Sequence, residues 1–101
     1  MFLVTAMDGT DDAALERRMA VRPTHFGRVR TEAEAARLRT GGAILDAQDR
    51  MVGSFLILDL PDEAAVRAWL DADPYTKGGV WQEFSIRRVR VADLPYAAKV
   101  G

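Results

Sequence analysis

Two segments of this chain are apolar on both parities of a β-strand, and that leaves few architectures open. From Met51 to Leu60, Val52, Leu56, Leu58 and Leu60 share one parity, and Phe55 and Ile57 take the other. The segment Phe2 to Met7 does the same, with Phe2, Val4 and Ala6 against Leu3 and Met7. Successive side chains of a strand point to opposite faces, so a sheet of such strands is apolar above and below. The chain's own helices can cover one face. The other would leave a large apolar patch in water unless something covers it. A second copy packed face to face is the economical cover, so a homodimer is expected.

The remaining segments fit a β-α-β-β-α-β order. Asp8-Gly9-Thr10-Asp11 ends the first strand with turn chemistry, and Thr10 or Asp11 is placed to cap a helix. Leu15 and Met19 share one face of that helix. Pro23 removes a backbone donor and disfavours helix at Arg22, so a break near Val21–Arg22 is expected, with a second helix starting at Pro23. Phe26, Val29, Ala33 and Ala36 then form an apolar stripe that Gly41-Gly42 stops. Strands are expected from Ala43 to Ala47 and from Met51 to Leu60, joined by a turn at Gln48-Asp49-Arg50. Val66, Trp69 and Leu70 mark the buried side of a helix opening at Pro61-Asp62 and broken at Asp73-Pro74. Val80 to Val91 is the last strand, with a parity shift that places a bulge near Arg87-Arg88. The expected fold is α+β, ferredoxin-like: a four-stranded antiparallel sheet with helices on one face. Residues 1–101 read as a single domain, with 93–101 as a C-terminal tail that can clasp a partner.

Composition narrows the function classes. With no cysteine, thiol nucleophiles, thiolate zinc sites and iron–sulfur clusters are excluded, and a reducing, cytoplasmic setting is expected. With one histidine as well, no transition-metal site and no cofactor is expected. The net charge of −1 gives no general basic field for nucleic acid, although of fourteen basic residues only Lys77 and Lys99 are lysines. No apolar run approaches the roughly 20 residues of a membrane span, and the first residues lack the basic stretch of a signal peptide. The expected partners are a second copy and a small-molecule ligand, with no nucleic acid and no membrane.

A few residues stand out chemically. His25 lies at the edge of the apolar stripe, four residues before Val29, and an imidazole exchanges protons near neutral pH. Asp73 falls four residues after Trp69 and continues a buried stripe, where a carboxylate needs a partner or a cavity; Asp followed by Pro is also an ordinary helix cap. Arg22 and Arg39 offer two-pronged donors for an anion. Ser54 opens a strand after Gly53, lacks a nucleophile elbow, and suits ligand binding. Tyr75 and Trp81 can wall an apolar pocket.

Two stretches carry a family resemblance. Arg17-Arg18-Met19-Ala20-Val21-Arg22-Pro23-Thr24-His25 resembles the R-x-x-x-R-P-x-H segment of the YCII family. Trp69 to Tyr75, followed by Gly78-Gly79-Val80, is similar to its D-P-Y…A-G-V segment, and Gly53-Ser54 sits where that family has its G-S strand. The departure is Gly41-Gly42-Ala43, where family members often read Gly-Pro. The resemblance implies a dimeric α+β barrel related in fold to muconolactone isomerase, and a histidine–aspartate pair at His25 and Asp73. It therefore suggests an enzyme using that pair as general acid and base, for isomerisation or elimination on a small anionic cyclic substrate, with Ser54, Arg22 and Tyr75 binding it. The alternative is a non-catalytic dimeric module that binds a small ligand or a protein.

Overall fold

The computed structural model describes residues 1–96. Strands β1 (Phe2–Asp8), β2 (Leu38–Leu45), β3 (Met51–Leu58) and β4 (Trp81–Arg88) form one antiparallel sheet in the order β2-β3-β1-β4. Helices α1 (Ala14–Glu34), α2 (Glu63–Asp71) and the single turn α3 (Pro74–Lys77) complete the chain. This is the ferredoxin-like βαββαβ arrangement, with the helices on one face of the sheet. Among the described residues no helix is long and apolar enough to cross a membrane.

Parity decides which side chains meet the helices. Phe2, Val4 and Ala6 of β1 pair in register with Leu58, Leu56 and Ser54 of β3, and all six are buried. Val66, Trp69 and Leu70 of α2 close over this face with Tyr75, Val80 and Trp81. Burial of such side chains contributes roughly 1.5–3 kcal/mol each. The opposite face carries Leu3, Met7, Ile57 and Phe55, and Phe55 is exposed. A sheet apolar on both faces is therefore what this chain builds.

Three local expectations are corrected. First, α1 runs unbroken through Pro23. An interior proline costs about 3 kcal/mol through a missing donor and a ring clash. Side chains on both sides of it, Arg18, His25 and Glu32, are buried against the body of the protein and hold the helix together. Second, α1 ends at Glu34, well before Gly41-Gly42. Arg37 N donates to Glu32 O and Ala36 N to Ala33 O, while Ala36 takes φ 60°. That is a Schellman stop with alanine where glycine is usual, so no glycine signal marks it. Gly41 and Gly42 instead lie inside β2. A Cβ on Gly42 would sit 2.8 Å from the Phe55 ring, so the glycine lets Phe55 lie across β2. Third, the β1–β4 register shifts between Met7 and Asp8, opposite Trp81 and Glu83, and not at Arg87-Arg88; β4 simply ends there. Of the expected tail, residues 97–101 lie outside the described residues.

Glu32 ties the end of α1 to its surroundings. Its carboxylate accepts from the Arg37 guanidinium and from Trp69 Nε1. Arg37 first, and Trp69 after it, holds the carboxyl below its ordinary value of 4.5 despite burial. A depressed carboxyl stabilises the fold above its unfolded value, and loses that contribution as pH falls through its folded value. Glu32→Gln is expected to lower stability by about 1 kcal/mol at neutral pH. Urea melts across pH should show the difference from wild type shrinking below pH 4.5.

Candidate active site

Asp73 and His25 meet because two helix termini and one helix face converge. The backbone of Asp73 is extended (φ −73°, ψ 138°), and its side chain caps α3, whose first residue is Pro74. Oδ1 accepts from Tyr75 N at 2.9 Å and lies 2.8 Å from His25 Nδ1, while Oδ2 accepts from Arg28 Nη1 at 2.9 Å. Asp73 is completely buried. Burying a carboxylate is tolerable only when its oxygens are paired, and here each has at least one donor. A carboxylate oxygen can only accept, so His25 Nδ1 donates. The neutral imidazole then carries its lone pair on Nε2.

Aromatic rings fix the imidazole plane. Tyr75 stacks on His25 with centroids 3.9 Å apart and planes at 16°. Trp81 meets it edge-on at 5.4 Å. Burial pushes the Tyr75 hydroxyl's pKa up, so that hydroxyl stays protonated at neutral pH. Arg28, besides its bond to Asp73, lies over the Trp69 ring at 4.0 Å.

A second buried cluster adjoins the first. Arg18 Nη1 is 3.0 Å from both oxygens of Asp8, and Arg18 Nη2 donates to Ser54 Oγ at 2.9 Å. Trp81 Nε1 donates to the same Oγ at 3.1 Å. Burial raises the Asp8 carboxyl, against the opposing charge of Arg18. The Arg18 guanidinium also lies over Tyr75, 4.8 Å from the ring centre, so Tyr75 touches both clusters.

Both clusters open onto one cavity of about 540 Å³ between α1, β2 and β3. His25, Ser54, Tyr75, Arg18 and Arg22 line it. Of the residues singled out from the sequence, Asp73 stands behind His25, and Trp81, expected to wall the pocket, does not line it. Arg22 itself stacks over Phe26 at 4.7 Å. Arg39 reaches the rim while paired to Asp59, and Arg30 joins it. No Asp or Glu among the described residues lines this space, and four arginines do, of which Arg18 and Arg39 are paired with carboxylates behind it. Among the described residues no three His, Cys, Asp or Glu side chains gather in a way that could hold a metal.

Sequence reasoning passed over Arg18, Asp8, Arg28 and Glu32. The signal for two of them was present: Arg18 and Glu32 lie seven residues either side of His25, on the same helix face. Asp8 and Arg28 carry no such local mark.

Known proteins resemble this chain in sequence and in fold. A family model described as a YCII-related domain matches residues 1–90. Protein YciI of Escherichia coli O6:H1 and that of Shigella flexneri are each 33% identical over 93 residues, spanning 86% of this chain and 93% of theirs. A solved structure of 5-chloro-2-hydroxyhydroquinone dehydrochlorinase from Burkholderia phenoliruptrix AC1100, in complex with 2,5-dihydroxybenzoquinone, superposes with a TM-score of 0.76 at 26% identity, covering 90% of this chain and 94% of that one.

Removing the Asp73 carboxylate strands three donors at once. Asp73→Ala is expected to destabilise the protein by about 3 kcal/mol or more. Asp73→Asn, which still caps α3, should cost less. Urea unfolding of both variants checks the order.

Proposed function

The chain belongs to the YCII-related domain family, and from that premise we propose that it is a cofactor-independent enzyme moving protons on a small, anionic, cyclic substrate. The observation that carries the proposal is the His25–Asp73 pair at 2.8 Å, backed by a buried carboxylate and facing an arginine-lined cavity. Nδ1 is engaged by Asp73, which leaves Nε2 as the proton acceptor. The Asp73 charge then stabilises the imidazolium while the proton is held. Ser54, Arg22 and Tyr75 position the substrate.

The dehydrochlorinase likeness supports elimination of a halide from a halogenated hydroxyquinol. In that reaction His25 takes a proton from one ring hydroxyl and returns it to the halogen-bearing carbon. A second hydroxyl then loses its proton as halide departs with the carbon–halogen electron pair. Two C–OH groups become carbonyls and one equivalent of hydrogen halide is lost, so no external oxidant enters. An isomerisation would use the same two proton movements without a leaving group.

The open sheet face, with Leu3, Phe55 and Ile57, supports pairing of two copies into a barrel, and residues 1–101 then act as one domain per protomer. Sedimentation at low micromolar concentration is expected to show a species of twice 11.2 kDa; a clean monomer would remove the barrel.

Halide release from chlorinated hydroxyquinols, followed by ion chromatography, tests the chemistry. His25→Ala is expected to lower kcat by about 100-fold or more. Unchanged turnover in that variant would reject the assignment. Ligands that raise the melting temperature without being consumed would instead favour a binding module.

A further inference from the structure

A serine hydroxyl has one proton to give and two lone pairs to offer. At Ser54 both lone pairs are spoken for, since Arg18 Nη2 donates to Oγ at 2.9 Å and Trp81 Nε1 at 3.1 Å. The hydroxyl proton is left over, and no acceptor for it is present among the described residues. Ser54 is nonetheless 2% exposed, and it lines the cavity that His25 faces. A buried donor without an acceptor is costly, so an acceptor is missing from this site.

A second orphan lies beside it. Arg18 is 4% exposed, and its Nε–H has no hydrogen-bond partner. Arg18 lines the same cavity. Two unused donors, one on a cation, thus belong to hydrogen-bonded residues that both line one space from which carboxylates are absent.

From these orphans we infer that Ser54 and Arg18 form an oxyanion subsite: Ser54 acts solely as a donor, and the subsite takes an ionised oxygen of the ligand, such as a phenolate, enolate or carboxylate. This rests on the proposed function for the identity of the reaction, though not for the existence of the subsite. In the reaction it would hold the ring oxygen on which negative charge develops after His25 removes the proton. Two donors converging on such an oxygen stabilise it more than they stabilise the neutral hydroxyl. Arg18 and Trp81 also polarise the Ser54 O–H bond by donating to its oxygen, which strengthens it as a donor. Tyr75, in contact with both His25 and the Arg18 guanidinium, bridges the base and the anion site.

The test uses the full chain and two anionic probes, 2,5-dihydroxybenzoquinone and acetate. The reporter is the Trp81 indole N–H resonance, identified with Trp81→Phe. When the Ser54 hydroxyl donates to an anion, its oxygen becomes a better acceptor, so the Trp81 signal should move downfield saturably with either probe. Ser54→Ala is expected to weaken probe binding by about 10-fold or more, the loss of a charge-assisted hydrogen bond. Ser54→Thr, which keeps the hydroxyl, should stay within about threefold of wild type on the same scale. If Ser54→Ala does not fold, Ser54→Cys serves in its place, because a thiol fills the position while donating weakly. Full-strength binding in Ser54→Ala or Ser54→Cys would overturn the subsite, as would wild type binding neither probe saturably. Ser54-dependent binding of acetate without binding of the quinone would keep the subsite and reject the quinol chemistry.

Discussion

Helix α1 is held to the rest of the protein by a polar seam. Arg18, His25 and Glu32 repeat at seven-residue spacing, which is nearly two full turns, and each is buried against a different element. Arg18 reaches Asp8 in β1 and Ser54 in β3, His25 reaches Asp73 at the start of α3, and Glu32 reaches Trp69 in α2. Apolar seams tolerate small slips, because one methyl group substitutes for another. A seam of directed hydrogen bonds does not: a one-turn displacement of α1 would break all three attachments together. The register of α1, and with it the placement of the imidazole, follows from this seam.

Much of the fold was legible because it rests on parity and on punctuation. Apolar residues on both parities around Val4 and Leu56 identified two strands, which the sheet order places at the centre, and Pro74 after Asp73 identified a cap. The site was legible in its endpoints, His25 and Asp73, through their positions beside apolar stripes and through family-like motifs. What was hidden has a common cause. Of the apolar residues of α1 that suggested a core stripe, Leu15, Met19 and Phe26 are exposed and Val29 packs on the core, while three polar residues, Arg18, His25 and Glu32, are buried. Hydrophobic periodicity alone therefore did not show which residues of the helix are buried. The true stop of α1 was hidden because alanine occupies the left-handed position that glycine usually takes. Partners such as Asp8 for Arg18 arise only when distant segments meet.

Charge is segregated, although the net charge is only −1. The cavity beside His25 is bordered by arginines, whereas a cleft at the end of β1 is bordered by Asp8, Asp11, Asp12, Asp46 and Glu83, with Arg50. The two features adjoin, since Asp8 of the cleft pairs with Arg18 of the cavity at 3.0 Å. For a small anion, the charges lining the cavity still matter more than the total.

Asp73 illustrates how structure and chemistry can become inseparable at one atom group. The same carboxylate starts α3, neutralises Arg28 and orients His25. In evolutionary terms the position is pinned twice. A descendant of this chain that had abandoned catalysis would still be selected to keep the aspartate, because losing it would endanger folding. Drift would first become visible at cavity-lining groups outside the seam, such as Arg22. Retention of the aspartate in a related chain is therefore a record of architecture, and only the groups facing the cavity can bear on the proposed reaction.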